Sequence, residues 1–290
     1  MRKLIRIQGG TAPHWVGNGF PVRTLFSHES QGEQVSPFLL LDYAGPAEFA
    51  PSDQSRGVGE HPHRGFETVT IVFQGELEHR DSAGNQGTTG PGDVQWMTAA
   101  SGVVHEEWHD KAFTRRGGVL EMVQLWVNLP AKDKMSPPRY QEILNRQIPR
   151  VPLDGGGSVR VIAGDFRGAT GPAKTYTPIS VLDLRLKANG CADLSFPEGH
   201  TTLAVILKGK ALMNGAEMAG EADLAIFERN GDGVTIEAKQ DAVALVLSGE
   251  PINEPVVSYG PFVMNTQAEI RQAISDYQSG RLGRSAEVAG

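Results

Sequence analysis

The stretch GEHPHRGFETVTIVFQG, residues 59–75, contains the two features from which the rest of the chain can be interpreted. Residues 69–73 are β-branched or apolar and are followed shortly by Gly75, which predicts a buried strand. The first part of the stretch carries His61 and His63 two residues apart. Because residues at i and i+2 of an extended chain point to the same face, we expect both imidazoles to point to one side of a strand.

The pattern of short apolar runs between turn residues continues through the first half of the chain. Residues 82–87 and 90–93 are turn clusters of small and polar residues, and apolar runs follow at 94–97 and 119–127. None of these runs shows helical periodicity. Short strands at fairly even spacing are typical of an all-β sandwich or barrel.

The second half of the chain repeats this pattern. Six runs there predict strands, at residues 159–163, 180–187, 201–207, 224–227, 234–238 and 242–247. The segment LAVILKG at 203–209 is similar to VTIVFQG at 69–75, which indicates a diverged repeat. We therefore predict an N-terminal barrel over residues 1–135, a Pro- and Gly-rich linker over 136–157, and a second barrel within 158–290.

The end of the chain predicts a helix. Thr266 and Glu269 form a capping box, in which each side chain is available to backbone N–H groups of the first turn. Apolar residues at helical spacing follow, namely Ile270, Ala273, Ile274 and Tyr277. Gly280 suits the C-terminal stop. We expect an amphipathic helix that packs on a barrel.

Composition excludes several classes of function. The net charge of −7 gives no general attraction to nucleic acid or to anionic membranes. Cys191 is the single cysteine, so no intrachain disulfide forms and any metal site rests on nitrogen and oxygen ligands. No run reaches the ~20 apolar residues of a membrane span, and the N-terminus lacks the apolar core of a signal peptide. We expect a cytoplasmic protein.

A second pair of candidate ligands lies after a Pro-Gly-Asp turn. His105 and Glu107 are two residues apart, like His61 and His63, so each pair is expected to point to one face of its strand. Two neighbouring strands would then direct three nitrogens and one oxygen to a common point. Such ligands suit Fe(II), Mn(II), Ni(II), Cu(II), Co(II) or Zn(II), and four of them leave open positions on a six-coordinate metal.

Three blocks of the sequence resemble the signature of the pirin family, which belongs to the cupin superfamily. These are residues 59–69, 91–99 (PGDVQWMTA) and 102–107 (GVVHEE), and the resemblance continues at 124–129 and 260–266. It therefore spans nearly the whole chain. It implies a bicupin fold, in which two jelly-roll-like β-barrels pack together, with an iron centre in the N-terminal barrel.

The resemblance also implies the ligands. The metal-binding positions of pirins fall on His61, His63, His105 and Glu107. Cupins in general take their carboxylate ligand from the first motif, where Glu67 stands, but pirins take it from the second, which favours Glu107. Glu67 remains an alternative, and both Glu67 and His109 are candidates for positions next to the ligands. Fe(II) is the expected metal.

The second barrel is expected to lack a metal. Aligning Gly209 with Gly75 places Ser195 and Pro197 at the positions of His61 and His63, and aligning Asp223 with Asp93 places Thr235 at that of His105. Glu237 then falls opposite Glu107, and one carboxylate alone does not make a site.

The family resembles quercetin 2,3-dioxygenases, so we expect an iron-dependent dioxygenase that cleaves a flavonol or a related enolisable aromatic. Glu107 would be both a ligand and the catalytic base that accepts the substrate's proton. Aromatic and apolar residues near the motifs are candidate walls of a substrate cavity, namely Phe66, Trp96, Met97, Trp108 and Trp126.

Two other functions remain open from the sequence. Some pirins are described as redox-sensing regulators, which implies a non-catalytic iron centre that acts through protein partners and uses the same four ligands. A cupin that binds a sugar or another metabolite is the third alternative, although no lectin-like aromatic platform favours it. We expect a small aromatic substrate, no direct binding of nucleic acid, and a monomer.

Overall fold

The computed structural model describes residues 1–284, and short β-strands dominate the fold. The strands of the first half are β1 Leu4–Gly9, β2 His14–Val16, β3 Phe20–Ser27, β4 Phe38–Phe49, β5 Gly57–His63, β6 Phe66–Gln74, β7 Leu77–Asp81, β8 Gln86–Thr89, β9 Val94–Thr98, β10 Val103–His109, β11 Gly118–Asn128, β12 Arg139–Ile143 and β13 Arg150–Pro152. Two short helices accompany them, α1 His28–Gln31 and α2 Lys111–Arg116.

The second half continues in the same way. Its strands are β14 Gly157–Ala163, β15 Asp165–Phe166, β16 Ala169–Thr170, β17 Ile179–Leu186, β18 Cys191–Ser195, β19 Thr201–Lys208, β20 Ala211–Met213, β21 Glu217–Ala219, β22 Asp223–Phe227, β23 Gly233–Ala238, β24 Ala242–Gly249, β25 Val257–Tyr259 and β26 Phe262–Met264, and helix α3 spans Gln267–Gln278. Each predicted strand overlaps one of these strands, with ends that differ by three residues at most, so the all-β class is confirmed.

The structure contains two seven-stranded sheets and two four-stranded sheets, and the members of each pair have corresponding strand orders. The seven-stranded sheets have the orders β12-β9-β6-β11-β4-β3-β2 and β1-β22-β19-β24-β17-β14-β13, and the four-stranded sheets have the orders β5-β10-β7-β8 and β18-β23-β20-β21. Strands β6 and β19, which carry the two similar segments, hold the same place in their sheets. Gly75 and Gly209 after them both have positive φ, at +86° and +81°. The predicted repeat is therefore confirmed.

The chain divides into two compact units whose limits differ from the predicted boundaries. The first unit contains residues 13–22, 42–145 and 252–284, and the second contains residues 1–12, 23–41 and 146–251. Residues 1–12 do not join the predicted N-terminal barrel, because β1 pairs antiparallel with β22 of the second unit. Local sequence patterns do not predict this pairing, since the paired residues lie more than 200 positions apart in the chain.

The predicted linker, residues 136–157, contains two strands that belong to different units. Strand β12 pairs antiparallel with β9 and becomes the edge of the seven-stranded sheet of the first unit. Strand β13 pairs with β14 and becomes the edge of the corresponding sheet of the second. The prolines that suggested a linker are compatible with strands at sheet edges, where a missing N–H costs no ladder hydrogen bond.

Helix α3 begins as the capping box predicts, and it belongs to the first unit rather than to the predicted second barrel. The Thr266 hydroxyl accepts a hydrogen bond from the Glu269 N–H at 3.2 Å, and Gly280 follows the helix with φ +74°. The buried face, Ile270 and Ala273, packs in one cluster with Val104, Phe262, Met264 and Leu282 of the first unit. The described residues of the predicted C-terminal domain, 158–284, therefore divide between the two units at residue 252. Among residues 1–284, no helix is both long and apolar enough to cross a membrane.

Candidate metal centre

Strands β5 and β10 bring the two predicted ligand pairs together. They pair antiparallel with His105 opposite His61 and Val103 opposite His63. The register shifts between His105 and Glu107, so Glu107 stands opposite Val58. This irregularity redirects the carboxylate relative to the histidine on the same strand.

Three imidazoles converge at this point. One nitrogen from each of His61, His63 and His105 lies within 4.8 Å of the other two. The Nε2 atoms of His61 and His105 are 2.9 Å apart. Two nitrogens bound at about 2.1 Å and at a right angle on one metal ion would be separated by about 3.0 Å. His61 and His105 therefore fit adjacent positions on a single metal, and His63 lies close enough to be a third candidate ligand.

Burial keeps the imidazoles in the form that binds a metal. His63 and His105 are buried, whereas His61 is half-buried. Burial, with a smaller contribution from the neighbouring imidazoles, lowers the pKa of His63 and of His105 well below the ordinary value. Both rings are therefore neutral at physiological pH, with a lone pair available. Solvent, and hence a ligand, reaches the group on the side of His61.

Glu107 lies beside this group but not within it. Its carboxylate forms a second cluster with His105 and His79, whose donor atoms lie within 4.8 Å of one another. The amide of Gln124 donates to Oε2 at 3.2 Å, and the Thr70 hydroxyl lies 3.2 Å from Oε1. The structure thus groups three of the four predicted ligands directly, and it holds the fourth next to His105.

His79 is also part of this cluster, although it lies in none of the sequence motifs. His79 is buried on β7, directly opposite Glu107 of β10, and its Nδ1 lies 3.4 Å from Nδ1 of His105. Strand β7 buries Leu77, His79 and Asp81 in alternation, but its sequence has no apolar alternation that would reveal this. A charged or polar residue on the buried face of a strand needs a partner, and here that partner is the site.

Glu67 lies on the opposite face of its strand from the site. Thr70 of β6 contacts Glu107, so Phe66, Thr68 and Thr70 face the histidines, and Glu67 faces away. Its carboxylate accepts a hydrogen bond from Thr98 at 2.6 Å and lies 3.8 Å from Arg139. Glu67 is an even number of residues from His61 and His63, but this spacing does not put them on one face, because the turn at Arg64 and Gly65 separates two strands.

His109 also lies away from the three imidazoles. Its Nε2 donates to the carbonyl of Gly19 at 2.9 Å, and its ring packs against Phe20, Phe49 and Phe113 in a hydrophobic cluster. Its role is therefore packing rather than metal binding.

The candidate walls divide between the two faces in the same way. Phe66 and Trp126 contact the ring of His63, with centroids at 5.2 and 5.4 Å. Met97 shares a face of β9 with Gln95, which donates to His79, so Met97 is also on the site's side. Trp96 points to the opposite face of β9 from Met97, and Trp108 points to the opposite face of β10 from Glu107. Phe66, Trp126 and Met97 remain as walls.

The turn between β5 and β6 fixes His63 next to the site. Gly65 has φ +89°, and a Cβ there would lie 1.9 Å from the carbonyl oxygen of Val263. The ammonium of Lys134, itself buried, donates to the carbonyl oxygens of Gly65 and Val263 at 2.7 and 2.9 Å and to Asn128 Oδ1 at 2.6 Å. Arg64 forms an ion pair with Asp276 of α3 at 2.8 Å.

The corresponding region of the second unit is apolar. The buried residues of β18 and β23 are Ala192, Leu194, Val234, Ile236 and Ala238, which all belong to one hydrophobic cluster. Thr235 instead donates to Asp193 on the exposed side. The alignment that placed Thr235 at the position of His105 is therefore one residue out of phase with the buried face. Within residues 1–284, the second unit contains no group of three candidate ligands.

Glu67 gives a prediction about stability and pH. Burial raises its pKa from the ordinary 4.5 to about 7, against the opposing hydrogen bond from Thr98. Between pH 4.5 and about pH 7 the carboxyl of Glu67 is therefore protonated in the folded state but ionised in the unfolded state. The contribution of Glu67 to the free energy of unfolding is complete below pH 4.5 and is lost as the pH rises to about 7. Relative to Glu67→Gln, we expect wild-type stability to fall by about 3 kcal/mol between pH 4 and pH 8. Urea unfolding across this range measures it, and a constant difference would contradict the assignment.

Comparison with known proteins agrees with this two-unit β architecture. Residues 19–127 match the family described as Pirin, and residues 181–283 match the Pirin C-terminal cupin domain. The chain is 56% identical to a Pseudomonas aeruginosa protein named "Putative quercetin 2,3-dioxygenase", over 98% of this chain and 100% of that protein. It is 42% identical to a pirin-like protein of Solanum lycopersicum, over 87% of this chain and 83% of that protein.

The same relationship appears in three dimensions. The crystal structure of a quercetin 2,3-dioxygenase from Acinetobacter baumannii superposes with a TM-score of 0.96 at 49% identity, covering 98% of this chain and 99% of that chain. The fold and the histidine cluster thus define a bicupin protein with two cupin domains. The chain belongs to the pirin family.

Proposed function

We propose that this chain is a metal-dependent dioxygenase of the quercetin 2,3-dioxygenase type, with Fe(II) as the metal and a flavonol or a related enolisable aromatic as the substrate. The observation that supports it most directly is the convergence of His61, His63 and His105 beside the carboxylate of Glu107. The names of the relatives at 56% and 49% identity support the same activity.

The donor set fits a first-row metal ion. His61, His63 and His105 would hold it, with Glu107 as the fourth ligand. When bound, Fe(II) would supply the one-electron chemistry that O₂ requires and would acidify a coordinated substrate hydroxyl. Imidazole and carboxylate donors are those of known non-haem iron oxygenases, and four ligands leave room for a substrate.

The residues of the chain perform the remaining tasks. Glu107 would accept the proton of the substrate hydroxyl, because its carboxylate lies beside His105 in a buried setting. Gln124 and Thr70 hold that carboxylate in one orientation. Phe66 and Trp126, whose rings lie 4.4 Å apart, form an apolar wall next to His63 against which an aromatic substrate would pack.

Quercetin consumption in air tests the proposal. We expect Fe(II)-loaded wild-type protein to remove the visible absorbance of quercetin with matching O₂ uptake. At equal bound iron, Glu107→Gln is expected to lower kcat about 10²- to 10⁴-fold, because the amide cannot accept the proton. Glu106→Gln is the matched control, since Glu106 is the neighbouring carboxylate on the other face of β10 and should leave kcat unchanged.

Two outcomes would count against the proposal. If iron-loaded protein leaves quercetin intact while a known quercetin 2,3-dioxygenase consumes it, the substrate is wrong. If iron binds but no enolisable aromatic is turned over, the role of the same centre shifts to that of a redox-sensing regulator.

A further inference from the structure

A row of buried polar groups lies behind His105, on the side away from His61. It begins at Asp81, whose Oδ1 accepts hydrogen bonds from the backbone N–H groups of Ala83 and Asn85 at 3.0 and 2.9 Å. Burial alone would raise the pKa of Asp81, but hydrogen bonds from His79 and Asn85 outweigh it and lower that pKa. Asp81 is therefore a fixed carboxylate, able only to accept hydrogen bonds.

This carboxylate determines the tautomer of His79. Nε2 of His79 lies 3.2 Å from Asp81 Oδ2, so this nitrogen carries the proton and donates. In a neutral ring the other nitrogen, Nδ1, must then be an acceptor. The amide of Gln95 donates to that Nδ1 at 3.1 Å, which agrees with this assignment. Tyr140 of β12 stacks on the ring with centroids 5.0 Å apart and an interplanar angle of 21°.

His79 in turn determines the tautomer of His105. The two Nδ1 atoms are 3.4 Å apart, and because that of His79 accepts, that of His105 donates, sharing the single lone pair of His79 Nδ1 with the Gln95 amide in a three-centre hydrogen bond. Nε2 of His105 is then a bare lone pair directed at His61. Nδ1 of His61 donates to the carbonyl of Gly59 at 2.8 Å, so its Nε2 is also bare. The two nitrogens, 2.9 Å apart, are thus placed to bind one cation together.

We propose that His79, anchored by Asp81, is a positioning residue that fixes the Nδ1–H tautomer of His105 and so presents its Nε2 to the metal. The inference rests on the metal centre of the proposed function, although not on its substrate. Partners of this kind, which hold the second nitrogen of a ligating histidine, are worth about 10- to 100-fold in metal affinity.

The tautomer itself can be measured without any metal. In the ¹⁵N–¹H correlation spectrum of the metal-free protein, we expect His105 to be protonated at Nδ1 and His79 at Nε2. In His79→Leu, the preference of His105 for Nδ1–H should be lost, because no acceptor remains at that nitrogen. A wild-type spectrum with the proton of His105 on Nε2 would overturn the proposal, and a purely structural role for His79 would leave the tautomer of His105 unchanged.

Metal affinity provides the second readout. By calorimetric titration with Co(II), His79→Leu is expected to bind about 10- to 100-fold more weakly than wild type. His79→Asn should recover most of this loss, because its Oδ1 takes the place of Nδ1 as the acceptor. His109→Leu, which removes another buried histidine of the same unit, should bind as the wild type does. The absorption bands of bound Co(II) should shift in His79→Leu alone.

The outcomes separate this inference from the proposed function. Wild-type affinity in His79→Leu, or equal losses in the Leu and Asn variants, would overturn the positioning role whether or not quercetin is consumed. The expected ranking of affinities with no turnover of quercetin would support the positioning role and contradict the proposed substrate.

Discussion

His105→Ala is expected to lower the affinity of the protein for Fe(II) by about a hundred- to a thousandfold. Four-ligand protein sites bind zinc with about 10–16 kcal/mol, which corresponds to about 3 kcal/mol for each ligand. His105 has a central place, since its Nε2 faces His61 and it shares the second cluster with Glu107. Anaerobic titration with Fe(II), with bound iron quantified after desalting, measures the loss.

His109→Ala is the matched control for this prediction. His109 lies on the same strand and is also buried, but it packs among Phe20, Phe49 and Phe113. We expect this variant to lose stability because a cavity forms, while its affinity for Fe(II) stays within about threefold of wild type. Equal iron affinity in His105→Ala and wild type would refute the ligand assignment.

Gly65→Ala is expected to destabilise the protein by about 4 kcal/mol or more. An alanine at φ +89° is strained by about 1–2 kcal/mol, and its Cβ would lie 1.9 Å from a backbone oxygen of Val263. Strand β26 must therefore move, and with it the acceptors of Lys134 and the partner of Arg64. Urea unfolding of the metal-free protein measures the cost.

Gly84→Ala is the control that distinguishes the backbone strain at positive φ from the steric clash of the added Cβ with Val263. Gly84 has nearly the same φ, +87°, but no atom lies within 4 Å of its added Cβ. We expect this variant to lose only the strain energy of about 1–2 kcal/mol. If both variants lost the same amount, the close approach of Gly65 to Val263 would have no energetic consequence.

Period-two reasoning predicted the ligand faces correctly only within a single strand. His61 and His63 share β5, and their convergence with His105 followed from an i, i+2 pattern. The same reasoning failed for Glu67, because Gly65 turns the chain into a new strand with its own orientation. The alignment of Asp223 with Asp93 placed Thr235 wrongly for a related reason, since a shift of one residue moves a side chain to the other face.

Non-local pairings were the other part that the sequence did not reveal. His79 joins the site because β7 pairs with β10, which brings it opposite Glu107. Residues 1–12 join the second unit because β1 pairs with β22, and the capping box that predicted α3 contains no information about which unit the helix contacts. Local propensity and periodicity specify elements, whereas these assignments depend on which surfaces fit each other.

The interleaved path of the chain has a consequence during synthesis. The unit that carries the histidines receives β25, β26 and α3 only after all of residues 146–251 have been made. Until then, Arg64 lacks both the carbonyl of Pro261 and the N–H of Val263, its hydrogen-bond partners at 3.3 and 3.0 Å. A nascent chain on the ribosome thus completes the unit that carries the histidines last, and a gene fragment that stops near residue 157 encodes only part of that unit.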